Sequence, residues 1–147
     1  AFLISVVALR EAKGGHQVLL LKRSDDDSLG GEWCQISGSI EEGETAWQAG
    51  LRELDEEAGL RPAAFFSANI CEQFYAAKRD TIVMAPVFVA FIDETAAVTL
   101  NDEHSDYRWV HIDEGVEMVT FGGQRRVLRW IEDEFINRSP SEFLRIC

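Results

Sequence analysis

Cysteine is scarce in this 147-residue chain, with only Cys34, Cys71 and Cys147, an odd number with no CxxC spacing. That excludes a disulfide framework and a paired-thiol metal knuckle, and it predicts reduced core or terminal thiols in a cytoplasmic protein, with Cys147 the candidate for a reactive thiol. No apolar run approaches the ~18 residues of a membrane span. The longest, from Ile82 to Ile92, is broken by Pro86. No signal-peptide pattern is visible, although a chain starting at Ala1 rather than methionine is compatible with a few lost native residues. Positive charge is also short: 14 Lys and Arg face 26 Asp and Glu, for a net charge of −12. Such a chain has no basic field to coat a nucleic acid, whereas a small polyphosphate remains compatible if metal ions mediate. Linkers, repeats and low-complexity tracts are missing too, so residues 1–147 are expected to form one domain with a sizeable core, which 46% hydrophobic content supports.

Phe2 to Leu9 reads as a buried strand and Gln17 to Lys22 as its partner across Gly14-Gly15. Lys22-Arg23 ends that strand, before a polar surface loop from Ser24 to Gly31; a basic pair there can touch a phosphate. Trp33 to Ser37 is a short extended segment. Ala64 to Ala77 and Thr81 to Ile92 predict an antiparallel hairpin around Lys78-Arg79-Asp80. Phe74 and Tyr75 alternate faces, so at most one lies in the core and the other is free to reach a cleft and stack on a flat ring. Asp106 to Ile112 reads as a strand, Asp113 as the cap of a short helix through Val119, and Gln124 to Ile136 as a last helix with Val127, Leu128, Ile131 and Phe135 inward. This order predicts an α/β sandwich around a mixed sheet.

Between these elements lies the stretch from Gly38 to Leu60, GSIEEGETAWQAGLRELDEEAGL. Thr45 with Gln48 forms a capping box and Gly59 closes the helix. Trp47, Leu51, Leu54 and Ala58 make an apolar stripe, while Glu53, Glu56 and Glu57 share another side with the small Ala46, Ala49 and Gly50, which leave room for something bulky. Three carboxylates near a helix C-terminus repel one another and oppose the dipole. Arg52 pairs with Glu56 at i, i+4 but does not neutralise the set. A hard divalent cation, Mg²⁺ or Mn²⁺, is the matching partner, although for an arbitrary helix a solvated acidic face is the commoner arrangement.

The pattern Gly38, five residues, Glu44, seven residues, Arg52-Glu53-Leu54, one residue, Glu56-Glu57, one residue, Gly59-Leu60 resembles the Nudix box at every defined position. The resemblance implies the Nudix α/β/α sandwich and metal-dependent hydrolysis of a pyrophosphate linkage, with Glu53, Glu56 and Glu57 as metal ligands and one of them able to take a proton from water. It implies a supporting or base role for Glu44, an orienting role for Arg52, and a backbone carbonyl of Ser37 as a further ligand. Glu103, before the Asp106 strand, is the candidate ligand from outside the box, with Asp102 as substitute. His104 is the other possibility, though a lone histidine is more often a hydrogen-bonding surface residue.

The stretches LLLKRSDD, WCQISGSIEEGETA and EHSDYRWV, with Gly123-Gln124-Arg125, are similar to the dihydroneopterin triphosphate and dATP pyrophosphohydrolase branch. That implies a nucleoside or pterin triphosphate substrate, a monophosphate and pyrophosphate as products, and Arg23 and Ser37 as candidate substrate contacts; Phe74 and Tyr75 join them only through their alternation of faces. Cleavage of dinucleoside polyphosphates or nucleotide sugars uses the same box. A catalytically silent nucleotide-binding domain is the alternative of a different class, disfavoured because no box carboxylate is missing.

Overall fold

The computed structural model describes residues 2–26 and 28–147; Ala1, and Asp27 of the loop expected at the surface, lie outside them. In chain order the elements are β1 (Leu3–Ala12), β2 (Gly15–Arg23), β3 (Trp33–Cys34), β4 (Ile36–Ser39), α1 (Ala46–Ala58), β5 (Ala64–Ala76), β6 (Thr81–Phe91), β7 (His104–Val110), α2 (Ile112–Met118) and α3 (Gly122–Ile131). β1 is the central strand. Its Ile4, Val6 and Ala8 pack with α1, while Val7 and Leu9 pack with α2 and α3, so both faces are buried and the strand reads as a continuous apolar run. It pairs parallel with β6 over Ser5–Leu9 and antiparallel with β2 and β4. The result is an α/β/α sandwich on a mixed sheet, as expected.

β1 and β2 pair only at their hairpin end, from Leu9↔Val18 to Ala12↔Gly15. Beyond it they part. β4 takes the edge of β1 (Leu3↔Ser39 to Val6↔Ile36), and β3 takes the edge of β2 (Leu21↔Cys34, Lys22↔Trp33). Gln35, between β3 and β4, bridges the fork.

Helix α1 starts and ends as its sequence predicts. The Thr45 Oγ1 accepts from the Gln48 N–H at 3.2 Å, and the Thr45 N–H donates to Gln48 Oε1 at 2.9 Å. Gly59 caps the other end at φ 66°, a left-handed conformation that favours glycine. The face it buries keeps Leu51, Leu54 and Ala58 of the expected stripe but departs from it at Trp47. Trp47 is 38% exposed, whereas Ala49, Gly50, Leu54, Glu57 and Ala58 are buried. The small residues do not open a space beside the carboxylates; they let the helix settle on the stacked pair Phe65 and Phe88, whose ring centroids are 5.3 Å apart. A Cβ on Gly50 would stand 3.1 Å from the Phe65 ring and 3.3 Å from Phe88 and Val6.

Three boundaries also differ. β7 begins at His104, because the Arg23↔His104 pairing extends its ladder with β2 past a bulge. His111, not Asp113, is the N-cap of α2; Asp113 sits in the first turn and pairs with Arg129 at 2.7 Å. Helix α3 takes in both Gly122 and Gly123, with the Phe121 N–H donating to Gln124 Oε1 at 2.9 Å. Its Val127, Leu128 and Ile131, with Phe135 beyond, form the buried stripe the periodicity predicts. No helix among the described residues is long and apolar enough to cross a membrane.

Since Gly50 meets an aromatic pair and a central-strand valine, Gly50→Val is expected to lower unfolding stability by about 1–3 kcal/mol through overpacking. Urea denaturation checks this, and an unchanged midpoint would mean the helix has slack against the sheet.

Candidate active site

The last turns of α1 carry Glu53, Glu56 and Glu57, and the helix's tilt toward the sheet treats them unequally. Glu57 is 2% exposed and lies inside the protein. Its Oε2 has no hydrogen-bond partner among the described residues. Burial, first, and then the hydrogen bond and charge of Glu53 and the charge of Glu103, push its carboxyl up to about 10, against a smaller opposing pull from Arg23. Glu56 stays mostly in solvent.

Glu103 reaches Glu57 because its loop is tied to the end of β2. The Ser24 N–H donates to the Glu103 carbonyl at 3.0 Å, the Ser24 hydroxyl donates to the Asp102 carbonyl at 2.8 Å, and the Glu103 N–H donates to Asn101 Oδ1 at 3.1 Å. Ligand atoms of Glu57, Glu103 and His104 lie within 4.8 Å of one another. His104 is not the surface residue expected: it is 5% exposed, with Nε2 at 3.6 Å from Glu57 Oε1 and 4.0 Å from Cys34 Sγ. Opening β7 opposite Arg23 turns its ring inward. Its one legible signal was its place beside Glu103 at a loop-to-strand junction.

Arg52 organises the other carboxylates. Its Nε and Nη2 make a bidentate pair with Glu44 at 2.8 and 3.0 Å, Nη1 donates to Glu53 Oε1 at 2.7 Å and to Glu56 Oε2 at 3.2 Å, and Nη2 also donates to the Ser39 carbonyl at 2.8 Å. The pairing with Glu56 is the expected one; those with Glu44 and Glu53 extend it. The Arg52 hydrogen bond is the main cause that holds the Glu44 carboxyl below its usual range, helped by the Glu41 N–H. Gly38 completes the frame: a Cβ there would overlap the Glu53 side chain and displace its carboxylate from this position.

A cavity of about 600 Å³ opens at the fork of the sheet. Arg23, Ser37 and Gly38 line it on the carboxylate side, and Phe74 and Tyr75 border it too. Neither aromatic enters the core, being 47% and 58% exposed. The reason is that β6 pairs with β1 only from Val87 onward, so the outer half of the β5–β6 hairpin overhangs the core. The Tyr75 hydroxyl donates to Asp80 Oδ1 at 2.8 Å. Sequence reasoning passed over Gln35, Glu72 and Gln124, which also line this cavity; the available signal was an ionisable glutamate two residues before Phe74 within a strand.

A mixed-sheet sandwich with a carboxylate-bearing helix at the fork of its strands is the architecture of Nudix hydrolases. The chain belongs to that family: the NUDIX domain model matches residues 2–131. Its members act on phosphoric anhydride bonds as pyrophosphohydrolases and generally use divalent metal ions. The chain is 29% identical over 127 residues to an octanoyltransferase of Myxococcus xanthus, covering 86% of this chain but only 35% of that protein. It is 25% identical over 126 residues to an asymmetrical bis(5'-nucleosyl)-tetraphosphatase of Caenorhabditis elegans, covering 84% and 88%. Against a dihydroneopterin triphosphate diphosphatase of Escherichia coli K12 the identity is 43% over 57 residues, 39% of this chain and 36% of that one. A solved structure of a C. elegans Ap4A hydrolase has a TM-score of 0.76 at 21% identity, covering 89% of this chain and 94% of that chain.

Replacing Arg52 by methionine removes the one cation among Glu44, Glu53 and Glu56, and a lower melting temperature at neutral pH is expected. The Glu44 pKa is lowered by folding, so its share of this stability is present above the unfolded value near 4.5 and vanishes as pH falls through the folded value. The difference between Arg52→Met and the parent should therefore shrink in acid. A difference independent of pH between 7 and about 3 would argue that Arg52 acts by packing alone.

Proposed function

We propose that this chain is a metal-dependent pyrophosphohydrolase that cleaves a nucleoside triphosphate or dihydroneopterin triphosphate to the monophosphate and pyrophosphate, acting in the cytoplasm through one domain spanning residues 1–147. The observation that carries the reading is Glu57, a buried carboxyl with an oxygen that has no partner among the described residues, gathered with Glu103 and with His104, whose ring lies 4.0 Å from Cys34 of the cavity wall. This donor set fits a divalent cation: two carboxylates and an imidazole converge where the protein itself provides too little positive charge.

Glu57, Glu103 and Glu53 would hold Mg²⁺ or Mn²⁺, with Glu56, the Ser37 carbonyl and His104 able to join. When bound, the ion supplies charge that offsets the polyphosphate oxygens and makes water more acidic. The chain does the rest. Arg52 keeps Glu44, Glu53 and Glu56 in place, so the carboxylates need not reorganise as charge develops. Arg23, at the end of β2, adds a guanidinium that suits a phosphate oxygen. Phe74 and Tyr75 offer flat faces for the ring.

The 43% identity to the pterin enzyme, though confined to 57 residues, supports the triphosphate branch. Cleavage of a dinucleoside tetraphosphate is the second reading, favoured by the C. elegans relative, most of whose length the match covers. Product analysis by ³¹P NMR with Mg²⁺ separates them. Pyrophosphate released from dihydroneopterin triphosphate or a nucleoside triphosphate supports the first reading, and ATP from diadenosine tetraphosphate alone supports the second.

Glu57→Gln keeps the volume and removes the carboxylate that would form on binding the ion, so the metal-dependent rate is expected to fall by at least about 100-fold with the fold intact. A folded Glu57→Gln protein turning over at the parental rate would remove this residue from the ligand set. Glu103→Ala should raise the Mg²⁺ concentration needed for half-maximal rate; an unchanged requirement would move that ligand to Asp102 or elsewhere.

A further inference from the structure

The cavity has two ends of different chemistry. Arg23, Ser37 and Gly38 form the end that adjoins the carboxylates of α1. Another part of its wall carries a polar network with no part in phosphate chemistry: Glu72, Gln35 and Gln124. Glu72 stands on β5 opposite Ala85 and two residues before Phe74, so the two side chains share one face of the sheet.

Gln35 is held at every polar atom. Its Nε2 donates to the buried Ser5 Oγ at 3.0 Å and to Glu72 Oε2 at 3.3 Å, and its Oε1 accepts from Gln124 Nε2 at 3.2 Å. Gln124 is in turn fixed by the Phe121 N–H at 2.9 Å. The chain of amides ends at Glu72, whose other oxygen, Oε1, receives no hydrogen bond from the described residues. No ion pair among the described residues involves Glu72, and burial holds its carboxyl above the usual range with no cation opposing. A network tied at one end and open at the other leaves an acceptor of Glu72 facing the cavity, ready for a donor from a bound molecule.

The donor must suit a carboxylate, which accepts paired N–H groups side by side. A flat ring with a ring N–H next to an exocyclic amine does this; the 2-amino-4-oxo edge shared by guanine and pterin rings is that arrangement. Adenine places an acceptor nitrogen beside its amine and would set a lone pair against the carboxylate. We propose that Glu72, positioned by Gln35 and Gln124, reads the substrate ring by accepting paired N–H donors from a 2-amino-4-oxo heterocycle lying against Phe74. This rests on the triphosphate reading above and narrows it to guanine nucleotides or pterin triphosphates.

The test compares dGTP, dITP, dATP and dihydroneopterin triphosphate as substrates of the full chain and of Glu72→Gln, since dITP is dGTP without the 2-amino group. The parent should prefer dGTP over dITP by about 10- to 100-fold in kcat/KM. Glu72→Gln replaces two acceptors by an acceptor and a donor, so it should close that gap and raise dATP relative to dGTP. Glu72→Ala should lose the preference without gaining dATP, and it serves if the glutamine variant fails to fold. A larger loss for dihydroneopterin triphosphate than for dGTP would assign the site to pterins, and the reverse to guanine. A uniform change across all four substrates, or equal parental rates on dGTP and dITP, would overturn the assignment.

Calorimetric binding of guanosine, neopterin and adenosine is read in parallel because it needs no hydrolysis. Guanosine or neopterin binding weakened about 10-fold by Glu72→Gln, with adenosine not weakened, supports the ring assignment even if no triphosphate is cleaved, in which case the triphosphate reading alone falls. Equal ring binding in both proteins overturns the assignment even where hydrolysis is intact.

Discussion

A carboxyl group buried beside other carboxyl groups is an unfavourable object, and Glu57 is one. Burial and the charges of Glu53 and Glu103 act in the same direction, and the orphaned Oε2 adds the cost of a lost water contact. A chain can tolerate such a group only where the surrounding packing pays for it. Here the support comes from the two apolar layers that sandwich the sheet, and from Ala49, Gly50, Leu54 and Ala58 on the same helix face as Glu57. The small residues that bring α1 down onto Phe65 and Phe88 are therefore also what drives Glu57 inside. Packing and chemistry share one cause.

The fork between β1 and β2 explains the rest of the geometry. Had the two strands stayed paired along their whole length, no edge would remain for β3 and β4, and Gly38 would not be delivered to the side of Glu53. Because they part, the chain crosses from one strand edge to the other at Gln35 and opens the cavity. Pairing of β7 with β2 then brings Glu103 and His104 to the same end. Three segments distant in sequence meet at one place through backbone pairing, with few side-chain contacts needed to gather them.

Much of this was legible beforehand, and the pattern of what was not has a physical basis. Local signals worked: the Thr45–Gln48 capping box, the Gly59 cap and the inner stripe of α3 depend on neighbours a few residues away. The inward face of α1 was read correctly at Leu51, Leu54 and Ala58 but not at Trp47, which yields to Gly50, whose value lies in its partners Phe65 and Phe88. His104 was misplaced for a similar reason, its burial being set by the bulged pairing of β7 with β2. Gln35, Glu72 and Gln124 come from three separate elements and acquire meaning only as a hydrogen-bonded set. Long-range register leaves no local trace in composition or period.

The same geography separates what the site does from what it does it to. The residues that gather negative charge lie mainly between Gly38 and Leu60, where Arg52 couples them to one another and leaves little freedom for change. The cavity walls come from β5, from the segment before β4 and from the start of α3, outside that stretch or at its border. Substitutions at Glu72, Phe74 or Gln124 can alter the shape and hydrogen-bonding of the cavity without disturbing Arg52 and its carboxylates. Likeness in the charged helix therefore speaks to the bond that is broken, and identification of the ring has to come from the cavity wall.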